Sequence, residues 1–112
     1  MRAETLKGHL DGLLLASLEA RPRHGYAIME ALRAGSGGQF DLPTGTVYPA
    51  LRRLERAGLI EGTWSQEAGR QRRVYELTPA GRRTLTAERG TWQQFSAAVT
   101  ALLQPAPRPA TP

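Results

Sequence analysis

Arginine is the residue type in this chain whose number and placement point to chemistry. Arg52, Arg53, Arg56, Arg70, Arg72, Arg73, Arg82 and Arg83 fall between residues 43 and 83, against Glu55, Glu61, Glu67 and Glu76. That stretch holds nearly all of a net charge of +5, while residues 1–42 are balanced. A guanidinium offers five donors in a planar fork, which suits phosphate oxygens and the O6/N7 edge of guanine. The pI near 10.7 likewise favours an anionic partner. A GC-rich genome would by itself raise arginine over lysine, and only Lys7 is not an arginine among the 15 basic residues. Base composition does not explain the clustering, so the cluster reads as a binding surface and not merely a solvated face.

The other reactive residue types exclude more than they suggest. With no cysteine there are no disulfides, thiol nucleophiles or zinc–thiolate sites. His9 and His24 lack metal-ligand spacing, no glycine-rich loop leads into Lys-Ser/Thr, and no nucleophile–base–acid set is present. No catalytic residue, metal or cofactor is therefore expected. At 112 residues, 40% apolar and 22% charged, the chain has the composition of one small folded domain. The longest apolar run, about Leu13 to Ala16, is far below membrane length and no secretory signal precedes it, so no membrane partner and a cytoplasmic localisation are expected.

The elements that must position the arginines follow from periodicity. Leu6, Leu10, Leu13, Leu14 and Leu18 recur at helical spacing from about Glu4 to Ala20, with Leu15 on the opposite side. Such a helix is apolar over more than half its circumference, which suggests packing on two surfaces. Gly12 inside it marks a possible close helix contact. A second helix is predicted from about Gly25 to Ala34, ended by Gly35-Ser36-Gly37-Gly38, with Phe40 and Leu42 as a tether across the core. The third runs from about Thr44 to Ala57 and is closed by Gly58 at C′. Val47, Ala50, Leu51 and Leu54 face inward, which turns Gly45, Pro49, Arg52 and Arg56 outward, with Tyr48 on the flank. Pro49 means that this helix either starts there or is irregular near its beginning; the earlier start is preferred.

Two extended segments follow, Leu59 to Ser65 and about Gln71 to Leu77, the second alternating as a half-buried strand should. Glu67-Ala68-Gly69-Arg70 forms the tip of this hairpin, and Trp64 on it is read as a packing residue. Thr78-Pro79 is an N-cap and N1 pair opening a last helix to about Gln104, roughly 39 Å long. Leu85, Trp92 and Val99 at sevenfold spacing, with Phe95 and Leu102 offset by three, resemble a coiled-coil seam. The proline-rich segment from Pro105 is expected to be disordered.

The predicted fold class is mainly α with a small antiparallel β-hairpin: a winged helix-turn-helix plus a long C-terminal helix. In that arrangement Arg52 and Arg56 can enter the major groove. Thr44, Thr46 and the amides beside them can meet phosphate, and Arg70, Arg72 and Arg73 of the hairpin can follow phosphates or a narrow minor groove.

At this point the chain resembles the PadR-type winged-helix transcriptional regulators. The matching pieces, in order over about residues 6–103, begin with the leucine-rich first helix and His24-Gly25-Tyr26. Next come the stretch from Leu42 through Thr-Gly-Thr-Val-Tyr-Pro to Glu55, and Gly58-Leu-Ile60. The wing from Gly69-Arg70 to Tyr75-Glu-Leu-Thr-Pro-Ala-Gly81 and a last helix with Trp92 and Phe95 complete the set. Each piece alone is weak; the ordered set is specific. The resemblance implies a homodimeric DNA-binding regulator, usually a repressor, on palindromic double-stranded operators. It implies a DNA-binding unit over 1–78, a dimerisation helix over 79–104 and a tail over 105–112. It adds His24, Tyr26, Tyr48 and Arg53 to the DNA-contacting set.

The resemblance further implies a dimer interface of the last helix against its mate and the partner's first helix, carried by Leu6, Leu10, Leu14, Leu85, Trp92, Phe95, Val99 and Leu102. Trp92 is either an aromatic residue of that seam or, as in some drug-responsive relatives, a platform for a planar aromatic or hydrophobic effector. Such a pocket would use Trp92, Phe95, Leu10 and Leu14. A winged-helix interaction or assembly module without DNA binding is the competing reading, and the central arginines speak against it. His9 is read as structural.

Overall fold

The leucine-rich opening folds as helix α1, Leu10–Ser17, in a computed structural model that describes residue 6 and residues 8–107. The helix is shorter than its periodicity predicts. Gly8 takes φ +86°, a left-handed conformation that interrupts helical geometry ahead of α1. The remainder of the predicted early start, residues 4, 5 and 7, lies outside the described residues. At the other end Arg23 Nε donates to the Ser17 carbonyl at 2.8 Å, satisfying an orphan acceptor where the helix stops. Leu14, Leu15 and Leu18 are buried within the chain, while Leu10 and Leu13 on the other apolar side of α1 are half-buried.

A two-residue strand β1, Arg23–His24, precedes helix α2, Gly25–Gly35, and was not predicted. Two residues are too few to show a period of two. Helix α3, Thr44–Arg56, starts at Thr44 with Pro49 inside it. The missing Pro49 amide leaves the Gly45 carbonyl without its usual donor, and both residues are exposed. The α3 exit is a Schellman motif: Gly58, at φ +77°, donates to Glu55 O at 3.0 Å and Leu59 to Leu54 O at 3.0 Å. Val47, Ala50, Leu51 and Leu54 are buried, as their spacing predicts, beside Ile28 and Leu32 of α2 and the tether residue Leu42.

Strands β2 (Ile60–Glu67) and β3 (Arg70–Leu77) pair antiparallel from Ile60↔Leu77 to Glu67↔Arg70, and β1 adds to the far side of β3 at Val74 and Tyr75. The sheet therefore has three strands in the order β1-β3-β2. Its hairpin is longer at the tip than predicted, because only Ala68 and Gly69 form the turn. Both have positive φ, +50° and +76°, the requirement of a type I′ turn. Alanine is poorly suited to that conformation. Ala68→Asn is expected to stabilise the protein by about 0.5–1 kcal/mol, read as a rise of a few degrees in thermal midpoint. An unchanged or lower midpoint would count against this turn.

Helix α4, Pro79–Leu103, opens as predicted: Thr78 Oγ1 accepts from the Gly81 amide at 3.0 Å and Pro79 occupies N1. Only Gly81 and Leu85 of its 25 residues are buried. The Cα radius of gyration is 17.8 Å, against about 13 Å for a compact chain of this length; α4 projects from the body. Residues 105–107 follow it without helical structure. Residues 108–112, the rest of the tail predicted to be disordered, lie outside the described residues. Among the described residues no helix is long and apolar enough to cross a membrane.

Candidate nucleic-acid interface

The outward face of α3 is built by the burial of its inner stripe. Arg52 and Arg56 are exposed there, and neither enters an ion pair among the described residues. Pro43 caps the helix without a side-chain acceptor, so the amides of Thr44 and Gly45 open the first turn without an intrahelical partner. Thr44 is exposed and Thr46 half-buried beside them.

Two predicted DNA contacts are differently placed. Arg53 is held by Asp11 of α1, and Arg73 by Glu55 of α3. The Glu55 carboxylate raises the pKa of Arg73. Both arginines are thus engaged inside the chain, because a carboxylate on a neighbouring element lies within reach. Periodicity along one element cannot reveal such pairs.

A cleft of about 450 Å³ lies between the start of α2, the flank of α3 and the hairpin. Its walls include His24, Tyr26, Tyr48, Arg70, Arg72 and Arg73, all predicted, together with Gly25, Gln71 and Tyr75, which were not. Gly25 is there for a steric reason: an added Cβ would stand 2.6 Å from the Tyr48 hydroxyl oxygen, so glycine lets that ring lie against α2. Burial raises the pKa of Tyr75, with Arg73 pulling it the other way.

His24 sets the electrostatics of this cleft. Its Nδ1 accepts from the Ala27 amide at 3.2 Å and caps α2. That bond leaves the proton of a neutral ring on Nε2. Arg72 Nη1 stands 3.0 Å from Nε2, and a guanidinium only donates. Two donors therefore converge on one point at the cleft, with Arg70 exposed beyond them. An anionic oxygen seated beside the pair, within hydrogen-bond distance of each nitrogen, would accept from both.

Trp64 corrects an expectation. It is 66% exposed and not packed in the core; its ring meets the Arg73 guanidinium, whose carbon is 5.4 Å from the ring centroid. The alternation of β2 places it on the face that α3 only partly covers.

A second concavity, about 630 Å³, runs between α1 and α4. Trp92 and Phe95 line it, but Leu10 and Leu14 do not; Leu6, His9, Leu13, Ala16, Phe40 and Leu85 take their places, with Gly12, Glu88 and Arg89. His9 meets the Trp92 ring edge-on at 5.3 Å, and Trp92 and Phe95 are 5.9 Å apart. Arg89 bonds Glu19 at 2.9 Å and holds its carboxyl below the ordinary range. Of the predicted interface residues, Leu6, Leu14 and Leu85 are buried within the chain and offer little surface to a partner. Leu14 belongs to the core cluster that holds Ile28 and Leu32 of α2 and Val47 and Leu51 of α3. Leu10 and Val99 are half-buried, and Trp92, Phe95 and Leu102 are exposed. Among the described residues no group of three or more His, Asp or Glu is placed to hold a metal.

With this geometry in hand, comparison with known proteins is specific. The pattern of the transcriptional regulator PadR-like family matches residues 14–87. A PadR-like transcriptional regulator from Bacillus cereus is 30% identical with a TM-score of 0.81, over 93% of this chain and all of that one (100%). A PadR family transcription regulator from Clostridium difficile is 31% identical with a TM-score of 0.75, over 86% of this chain and 99% of the other. A transcriptional regulator from Mycobacterium tuberculosis is 46% identical over 52 residues, 46% of this chain and 49% of that protein.

Proposed function

The chain belongs to the PadR-like family of transcriptional regulators, which are DNA-binding proteins and not enzymes, and from that membership we propose a homodimeric repressor that binds a palindromic operator and is released by a small molecule. The observation that carries the DNA-binding part is the pairing of two unengaged arginines, Arg52 and Arg56, with the adjacent cleft where His24 and Arg72 present only donors. In this reading α3 lies in the major groove. Arg52 and Arg56 reach guanine edges or the flanking phosphates. The α3 amides with Thr44 and Thr46 hold one phosphate, and His24, Tyr26, Tyr48 and Arg72 hold another. Arg70 carries the tip of the hairpin along the backbone. Residues 1–78 then form the DNA-binding unit.

Residues 79–104 form the dimerisation helix in this proposal. The support is an exposed apolar row on α4, Trp92, Phe95 and Leu102, that one chain leaves uncovered. Dimerisation would join two recognition helices at the spacing of two operator half-sites. The groove beside Trp92, apolar with His9 and Glu88 at its edge, suits a planar aromatic or hydrophobic effector.

Footprinting on the DNA next to the chain's own coding sequence, repeated with a panel of planar aromatic compounds, tests the whole reading. Protection of a symmetric site that a compound abolishes is the expected result; no protected site at any salt concentration would sink it. Arg52→Ala is expected to cost about 1–3 kcal/mol and to relax base preference, whereas Arg70→Ala should weaken all sequences alike and flatten the salt dependence. Unchanged operator selectivity in Arg52→Ala would mean that α3 is not oriented in the groove as proposed.

A further inference from the structure

We infer that Arg73 is a positioning residue: with Glu55, Gly62 and Trp64 it forms a brace that sets the wing's angle against the recognition helix and does not itself hold DNA. This rests on the DNA-binding reading above. Arg73 Nη2 is paired with Glu55 Oε2 on α3, and its guanidinium carbon lies 5.4 Å from the ring of Trp64, its cross-strand neighbour. The side chain reaches Glu55 by crossing Gly62, where an added Cβ would stand 2.6 Å from Nε. Gly62 lies in the middle of β2 with no positive φ, so it serves no turn. Its lack of a side chain clears the path for Arg73.

The brace sits where support for the hairpin ends. β1 pairs with β3 only at Val74 and Tyr75. Beyond the Trp64↔Arg73 rung, residues 65–67 and 70–72 pair only with each other. A two-stranded ribbon is marginal on its own, so the direction of its tip and of Arg70 depends on the last anchored rung together with the Arg72–His24 contact. The same pair masks the Glu55 carboxylate, which stands between Arg52 and Arg56 in sequence and would repel phosphate if left free.

Gly62→Ala is the discriminating variant, because it displaces the Arg73 guanidinium without changing any charge. Its affinity for a fluorescein-labelled mixed-sequence duplex is expected to fall roughly tenfold or more through misplacement of the wing. The slope of log affinity against log salt stays as in the parent, since the same phosphates are neutralised. Arg73→Gln weakens binding similarly, and adding Glu55→Gln recovers only the part due to the unmasked carboxylate, since the brace itself stays absent. In a Trp92→Phe background, where Trp64 is the sole tryptophan, Gly62→Ala and Arg73→Gln both raise acrylamide quenching of Trp64. The brace is overturned by Gly62→Ala binding as tightly as the parent. It is equally overturned by an Arg73→Gln slope shallower by about 0.9 with no rescue from Glu55→Gln, the signature of a direct phosphate contact. A parent protein that binds no duplex overturns the DNA-binding reading instead, and the quenching still decides the brace.

Discussion

Gly81→Ala is expected to destabilise the protein by about 3 kcal/mol or more, enough to lower the thermal midpoint by well over 10 °C. A Cβ at this position would stand 2.0 Å from the Leu59 carbonyl oxygen and 3.0 Å from its carbon. Neither can move freely. Leu59 O accepts the Thr78 amide at 3.2 Å, Thr78 Oγ1 donates to Gly58 O at 2.6 Å, and Leu59 N closes the Schellman motif of α3. The start of α4 is thereby locked to the end of α3, and any side chain at Gly81 must break that lock. Gly12→Ala is the matched control. Its Cβ would make an ordinary 3.6 Å contact with Glu88 Cβ, so the gain in helix propensity decides the sign and up to about 1 kcal/mol of stabilisation is expected. Thermal unfolding followed by circular dichroism measures both. A Gly81→Ala protein that melts with the parent would show that α4 docks differently.

A charge on the exposed row of α4 is the second large effect. Phe95→Glu is expected to yield monomers by light scattering and to lower operator affinity by at least ~100-fold, because two half-site contacts no longer act together. Phe95 is 54% exposed in the single chain, so the substitution leaves the monomer's core intact. In a two-fold interface the carboxylate enters twice, and each copy loses water without a partner. Leu102→Glu, at a residue 85% exposed, should act in the same direction. A dimer that survives both substitutions would place the interface elsewhere.

Legibility in the sequence followed the range of the forces involved. The inner stripe of α3, the Gly58 stop, and the Thr78-Pro79 start of α4 rest on local periodicity and capping, and each stands where its residues predict. The two-residue strand β1 was illegible because it exists only through its pairing with Val74 and Tyr75. The first helix was overread because leucine spacing continues through Gly8, where the backbone turns left-handed. The doubly apolar α1 is covered by its own chain at Leu14, Leu15 and Leu18, while Leu10 and Leu13 stay half-buried, a division that the leucine spacing alone does not show.

The arginines mark the division most clearly. Their clustering in the middle third, and the outward direction of Arg52 and Arg56, follow from composition and a 3.6-residue period alone. Residue order was also enough to identify the family. Which guanidiniums remain available to an anion is a separate matter, decided where Asp11 of α1 meets Arg53 and Glu55 of α3 meets Arg73. Charge pairs form over a few ångströms between elements distant along the chain, and only packing sets those distances. The same packing brought His24 and Arg72, 48 residues apart, to 3.0 Å with two donors facing each other.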